Sequence, residues 1–357
     1  ELAEFSFSGA RFRQANIAAA AVGISIVLAL LLRLNDPWWA GISSFMCVQA
    51  SHPQSWQKGA LRIIGTLIGA ALGFILVPWV VYNPVATVLL LFSVGTISIL
   101  GALLSPHSYA WLLGGITMMM VTLGSLNDPA LVLTIAYYRA AEIILGTAIA
   151  VLMTRLFAPR TAGPAAVPPG WHSLLTSNWH SLSHAMRTGM AVAAVPVVWR
   201  QLELPDLSQM AISIGAVMAV PVLTGVPAQD QSAINQRMLQ RVVGCLLGGG
   251  FGALLLVFSI SQSFVPWLLM IMAGTWLAMQ IQSGQHGMAT VGAQAAIALI
   301  LTFVQSTGPA LGLLPALDRV AGMLGAIGLL LLINLLLGAP IGAQSIEDGG
   351  PRRERNP

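Results

Sequence analysis

The residues best able to do chemistry are a few charged side chains set inside long apolar runs. Arg139 is followed three residues later by Glu142, and Arg319 directly follows Asp318. Arg62 and Arg241 each stand three residues before a glycine ladder, Gly65-x3-Gly69-x3-Gly73 and Gly244-x3-Gly248-x3-Gly252. An arginine held out of water is an anion receptor, because its guanidinium presents a planar fork of donors that matches a carboxylate. Arg139 and Arg319 are therefore candidates for contact with an anionic cargo. Arg62 and Arg241 are candidates for an electropositive mouth on the cytoplasmic side. A carboxylate in apolar surroundings can exchange protons, which makes Glu142 and Asp318 the proton-coupling candidates. Four arginines against two carboxylates leave this set net positive by two if all are ionised, so an anion is favoured over a cation. Structural roles compete with each of these readings. Arg139 and Arg319 could simply pair between helices, and Arg62 and Arg241 could snorkel to lipid headgroups.

Other chemistries find no support. The sole lysine is Lys58, preceded by Gln57, so the phosphate loop of an ATP-driven pump is absent from this sequence. There is no C-x-x-C and no H-E-x-x-H, and the two cysteines, Cys47 and Cys245, sit in apolar runs as buried thiols do. No nucleophile–base set appears among the intramembrane polar residues, so neither catalytic residues nor a metal or cofactor is expected. His107 and His286 occupy matching turns, where a histidine is usually just solvated. The Met118-Met119-Met120 run reads as packing.

The elements that must carry these residues are membrane spans. The chain has 357 residues, 56% of them hydrophobic and only 8% charged, where a soluble domain carries about 25%. Apolar runs near the roughly 20 residues needed to cross a bilayer fall at 14–33, 38–51, 59–79, 85–104, 109–126 and 130–157. They resume at 184–200, 207–226, 238–258, 264–281, 288–304 and 311–337. Twelve spans put both termini on one side. With that side taken as the cytoplasm it holds twelve Lys and Arg residues, against only Arg33 and Arg200 on the other, so both termini are expected inside. The net charge of +4 is explained by this bias and does not require nucleic acid. Trp38, Trp39, Trp79, Trp199 and Trp267 fall near outer ends, as an interfacial belt would. Arg139 begins about nine residues into its span, roughly 13 Å deep at 1.5 Å per residue, too far for easy snorkelling. The first run reads as a full span rather than a cleavable leader.

The halves match at a fixed offset. Lys58 and Arg237, Arg62 and Arg241, the three ladder glycines, His107 and His286, and Gly146 and Gly325 are all separated by 179 residues; Arg139 and Arg319 by 180. The expected organisation is a first six-helix repeat over 1–158, a cytoplasmic linker over 159–180, a second repeat over 181–343 and a disordered tail over 344–357. An even number of spans per repeat makes the repeats parallel, with a pseudo-axis along the membrane normal between them.

At Pro37-Trp38-Trp39-Ala40, followed by Lys58-x3-Arg62-x2-Gly65-Thr66-x2-Gly69, the chain resembles the fusaric acid resistance (FUSC) family of bacterial inner-membrane proteins. That family is related to the aromatic acid exporters and, distantly, to plant aluminium-activated malate channels. The second half repeats the pattern as Arg237-x3-Arg241-x2-Gly244-Cys245-x2-Gly248, with cysteine replacing threonine. The resemblance implies export of aromatic or other small carboxylic acids, of fusaric acid or hydroxybenzoate type, driven by the proton gradient. It also implies work with a periplasmic adaptor and an outer-membrane channel. The short linker stands where longer members carry a cytoplasmic domain. The expectation is thus an all-α, multi-pass inner-membrane transporter of small organic anions. A passive anion channel and a non-transporting assembly subunit are the alternatives, and the oligomeric state is left open.

Overall fold

The computed structural model describes residues 5–160, 179–202, 207–219, 227–257, 263–284, 287–310 and 312–337. Among them, helices α1 (Gly9–Leu31), α2 (Pro37–Cys47), α3 (His52–Val80), α4 (Pro84–Leu104), α5 (Ser108–Gly124) and α6 (Val132–Phe157) make up the first half. Helices α7 (Trp179–Leu202), α8 (Leu207–Met218), α9 (Pro227–Leu256), α10 (Phe264–Gln282), α11 (Ala289–Phe303) and α12 (Leu314–Leu337) make up the second. Nearly all of the linker expected over 159–180, and the whole tail over 344–357, lie outside the described residues.

The sequence patterns that set helix ends are visible. Proline occupies the first turn of α2, α3 and α4, where its missing N–H has no intrahelical partner to lose. Asn83 caps α4 by accepting from the backbone N–H groups of Val85 and Ala86. Six described helical segments are long and apolar enough to cross a membrane unaided. The runs at 38–51 and 207–226 give shorter helices than their apolar lengths suggested. Helix α2 has 11 residues and α8 has 12, so each rises about 17 Å where the hydrocarbon core is about 30 Å thick. Both are half-helices held inside the protein. Helix α11, at 15 residues, is likewise short and runs into a small hairpin, β1 (Val304–Gln305) paired with β2 (Gly308–Pro309).

The long helices are inverted relative to those of a water-soluble protein. On α3, Gly65, Gly69 and Gly73 are buried while Ile64, Ile68, Leu72 and Ile75 are exposed. On α9, Gly244, Gly248 and Gly252 are buried while Leu246, Leu247 and Leu254 are exposed. Small residues inside and large apolar residues outside are what lipid selects, since backbones then approach closely and hydrocarbon meets the rest. The protein is an all-helical membrane protein. The approach is tight: a methyl at Gly69 would lie 2.2 Å from the Gly114 carbonyl oxygen, and one at Gly248 would lie 2.0 Å from that of Ala295.

Helix pairings in the second half follow those in the first. Helix α3 packs on α5 as α9 packs on α11, α2 packs on α6 as α8 packs on α12, and α4 packs on α5 as α10 packs on α11. Between the halves α1 lies on α10, α4 on α7, α2 on α11 and α5 on α8. Each of the two main apolar clusters therefore draws on both halves. One joins Ile26, Phe45, Trp267, Ile300 and Phe303; the other joins Leu91, Ile99, Met119, Met210 and Ile214. Of the five tryptophans placed in an interfacial belt, Trp79 is exposed as expected. Trp267 is not: it is fully buried and donates its indole N–H to the Phe303 carbonyl (2.8 Å).

Candidate functional site

Three acidic and basic side chains meet where the loop before α2 crosses the N-terminal part of α6. Arg139 is 8% exposed and Glu142 fully buried, which a helix allows only if the charges answer each other. Arg139 Nη1 donates to Glu142 Oε2 at 3.3 Å, and Nη2 donates to Asp36 Oδ2 at 3.1 Å. The Asp36 backbone N–H donates to the other Glu142 oxygen at 2.7 Å. The Trp39 ring lies against the guanidinium, 4.3 Å from its carbon to the ring centroid. The i,i+3 spacing on α6 makes the Arg139–Glu142 pair. Asp36 arrives because Pro37 starts α2 directly after it and α2 packs on α6.

This cluster changes the charge count made from the sequence. Asp36, Arg139 and Glu142 carry one net negative charge when all are ionised, so Arg139 is an occupied receptor. An incoming carboxylate must displace a protein carboxylate or wait for one to be protonated.

A cavity of about 250 Å³ opens onto this cluster. Asn35, Asp36, Trp38 and Trp39 come from the start of α2, Met120 and Gly124 from α5, and Ile135, Tyr138 and Arg139 from α6. Ser208, Gln209 and Ile212 come from the start of α8. Two half-helices thus bring their N-terminal ends to one cavity from the two halves of the chain. The partial positive charge at each end favours an anion there, as in transporters that bind carboxylates at broken helices. The volume is just under the roughly 300–1,000 Å³ of drug-sized pockets, which suits a single-ring acid. Aromatic walls beside a guanidinium suit one ring and one carboxylate.

A second, apolar cavity of about 520 Å³ lies between α3, α4 and α5, lined by Ile68, Leu72, Val94, Ile97, Trp111 and Met118 among others. His107 is its only ionisable lining residue, so it lacks the donor set a carboxylate needs.

Arg62 and Arg241 do not snorkel. They are 5% and 8% exposed and sit in the protein interior. Arg62 donates to Tyr109 Oη at 2.6 Å and to Ser43 Oγ at 3.1 Å, with Lys58 Nζ 5.3 Å from the same tyrosine ring. Asp318 is partly buried in the first turns of α12. The side chain of Arg319, and His286, lie outside the described residues. His107 is exposed at the start of α5, and Met118, Met119 and Met120 are buried. Cys47 and Cys245 are buried, and neither is in a disulfide.

Sequence reasoning brought Arg139 and Glu142 together correctly and missed Asp36, Trp39, Tyr109, Ser43, Ser208 and Gln209. For Asp36 a signal was present: an acid directly before a helix-starting proline and two tryptophans. Helix α2 is buried and brings the residue before it inside.

Residues 13–169 match the fusaric acid resistance protein family. The chain is similar to the p-hydroxybenzoic acid efflux pump subunit AaeB of Escherichia coli O9:H4 (strain HS), with 27% identity over 168 residues, 44% of this chain and 26% of that protein. Against the subunit of the same name from Edwardsiella ictaluri (strain 93-146), identity is 30% over 149 residues, 39% of this chain and 23% of that protein. The chain spans about a quarter of the length of the curated relatives it matches. No solved structure matches it.

Proposed function

We propose that this chain, whose residues 13–169 match the fusaric acid resistance protein family, exports small aromatic carboxylic acids, of fusaric acid or hydroxybenzoate type, across the bacterial inner membrane. The observation that carries this reading is the cavity at Arg139, where two helix N-termini, a guanidinium and aromatic walls face one space of single-ring size. The names of the AaeB relatives supply the substrate class. In this reading the halves 1–158 and 181–343 are parallel six-helix repeats with both termini in the cytoplasm. Arg319 is the counterpart of Arg139, and Asp318 is the second proton-coupling candidate. Arg62 and Arg241 form the cytoplasmic mouth. A periplasmic adaptor and an outer-membrane channel would take the acid onward.

In this reading protonation of Glu142 gates the anion site, with a definite sign. Arg139 is freed for a substrate carboxylate when Glu142 takes a proton, so proton and anion bind together and binding strengthens as pH falls. That is the reverse of an exchanger, in which the two compete. The proton then serves as a gate, remaining on Glu142 while the anion moves. An inside-negative potential drives a single negative charge outward by about 2.3 kcal/mol per 100 mV.

The test is efflux of p-hydroxybenzoate from proteoliposomes at a set potential and over a range of pH. Wild-type flux is expected to rise as the loading pH falls and to increase with an inside-negative potential. Glu142→Gln is expected to flatten the pH dependence. Flux indifferent to pH in the wild type would replace the gate with a passive anion channel, and absence of any flux under all conditions would favour an assembly subunit.

A further inference from the structure

The two halves treat the same arginine differently. Gly65 and Gly69 lie against the carbonyls of Ala110 and Gly114, as Gly244 and Gly248 lie against those of Val291 and Ala295. These contacts place Tyr109 on α5 and Thr290 on α11 at matching positions. Gly41-Ile42-Ser43 on α2 likewise matches Ala211-Ile212-Ser213 on α8. The two partners of Arg62, Tyr109 and Ser43, therefore correspond to Thr290 and Ser213 in the second half. Threonine is too short to reach as the tyrosine does.

The consequence is visible in the packing. Arg62 bonds through both Nη atoms and leaves only its Nε unpaired, whereas Arg241, among the described residues, forms no hydrogen bond or ion pair at all. Ser213 Oγ is also buried without a partner. A bond made at 3.1 Å in the first half has its counterpart in an unsatisfied Ser213 hydroxyl on α8 and an unbonded Arg241 guanidinium on α9, helices that the fold packs together. Gln294 stands on α11 against Gly244 with its Oε1 unpaired, and can turn its amide N–H₂ toward the same space. A guanidinium buried in a span without a counter-charge is costly, and an anion is what relieves it.

We propose that Arg241 and Ser213, with Gln294 beside them, form an anion site that takes the cargo carboxylate on its way to Arg139, and that the first-half counterpart is closed by the Tyr109 hydroxyl. The pathway then has one cytoplasmic receptor per chain although the sequence repeats twice. This assignment rests on the export reading and names the mouth residue that acts in it.

The experiment is calorimetric titration of the purified full chain in neutral detergent at alkaline pH, where Asp36 and Glu142 hold Arg139. The probes are p-hydroxybenzoate, inorganic sulfate and phosphatidylglycerol. The wild type is expected to bind one p-hydroxybenzoate, Arg241→Gln to weaken it tenfold or more, and Ser213→Ala to weaken it several-fold. Thr290→Tyr, which supplies the missing hydroxyl, is expected to abolish it. Tyr109→Phe is expected to add a second equivalent by releasing Arg62. Unchanged affinity in Arg241→Gln would overturn the site. Arg241-dependent binding of sulfate with none of p-hydroxybenzoate would keep an anion site and overturn the aromatic-acid reading instead. Arg241-dependent binding of phosphatidylglycerol alone would overturn the cargo assignment in favour of a lipid site.

Discussion

Arg139→Gln is expected to lower folding stability by about 3–5 kcal/mol, the usual cost of removing one partner from a buried ion pair. The reason is geometric: Glu142 has no exposed surface, and the guanidinium answers both its charge and that of Asp36. Thermal unfolding in detergent and the yield of monodisperse protein measure the effect. The double variant Arg139→Gln, Glu142→Gln is expected to recover most of the loss, because it removes the fully buried charge along with its partner and leaves only Asp36, which is partly exposed. A fully stable Arg139→Gln would mean that the three charges are not held as the structure has them.

Gly146→Ala is expected to be nearly as damaging, through the backbone rather than through charge. A methyl at Gly146 would lie 2.0 Å from the Ala40 carbonyl oxygen on α2, far inside van der Waals contact. Helix α2 must then move off α6 by more than 1 Å, and overpacking of that kind costs about 1–3 kcal/mol or more. Because Asp36 and Trp39 ride on the start of α2, the same shift pulls them from Arg139. Gly146→Ala should therefore lose p-hydroxybenzoate flux even in the fraction that folds. The comparison variant is Gly250→Ala on α9, where an added methyl meets nothing within 4 Å; it should fold and transport as the wild type does.

How far the sequence reaches is clearest at these residues. The Arg139–Glu142 contact could be read in advance because i,i+3 spacing on one helix is local information. The glycine ladders could be read for the same reason, and both pack helix on helix as expected. The proline after Asp36 marks a helix start, but the partner of Asp36 could not be read from it, since Asp36 reaches α6 only through the docking of a neighbouring half-helix. The shortness of α2 and α8 was masked by apolar residues that continue past the helix ends; hydropathy registers burial, not helix length. Trp267 illustrates a related limit: a tryptophan near a span end looks interfacial in sequence, and only the packing of α10 on α11 reveals a buried indole bonded to Phe303. Arg62 and Arg241 looked like interfacial arginines with equivalent roles. Their difference lies in what the packed helix carries at the matching position, Tyr109 on α5 and Thr290 on α11, which no property of the arginines themselves encodes.

The most direct test of the central claim is efflux of labelled p-hydroxybenzoate from proteoliposomes carrying the stable double variant Arg139→Gln, Glu142→Gln beside the wild type. Export by way of Arg139 predicts wild-type flux and, in the folded double variant, loss of at least tenfold. Wild-type flux through the double variant would contradict it and move the carboxylate's path away from this cavity.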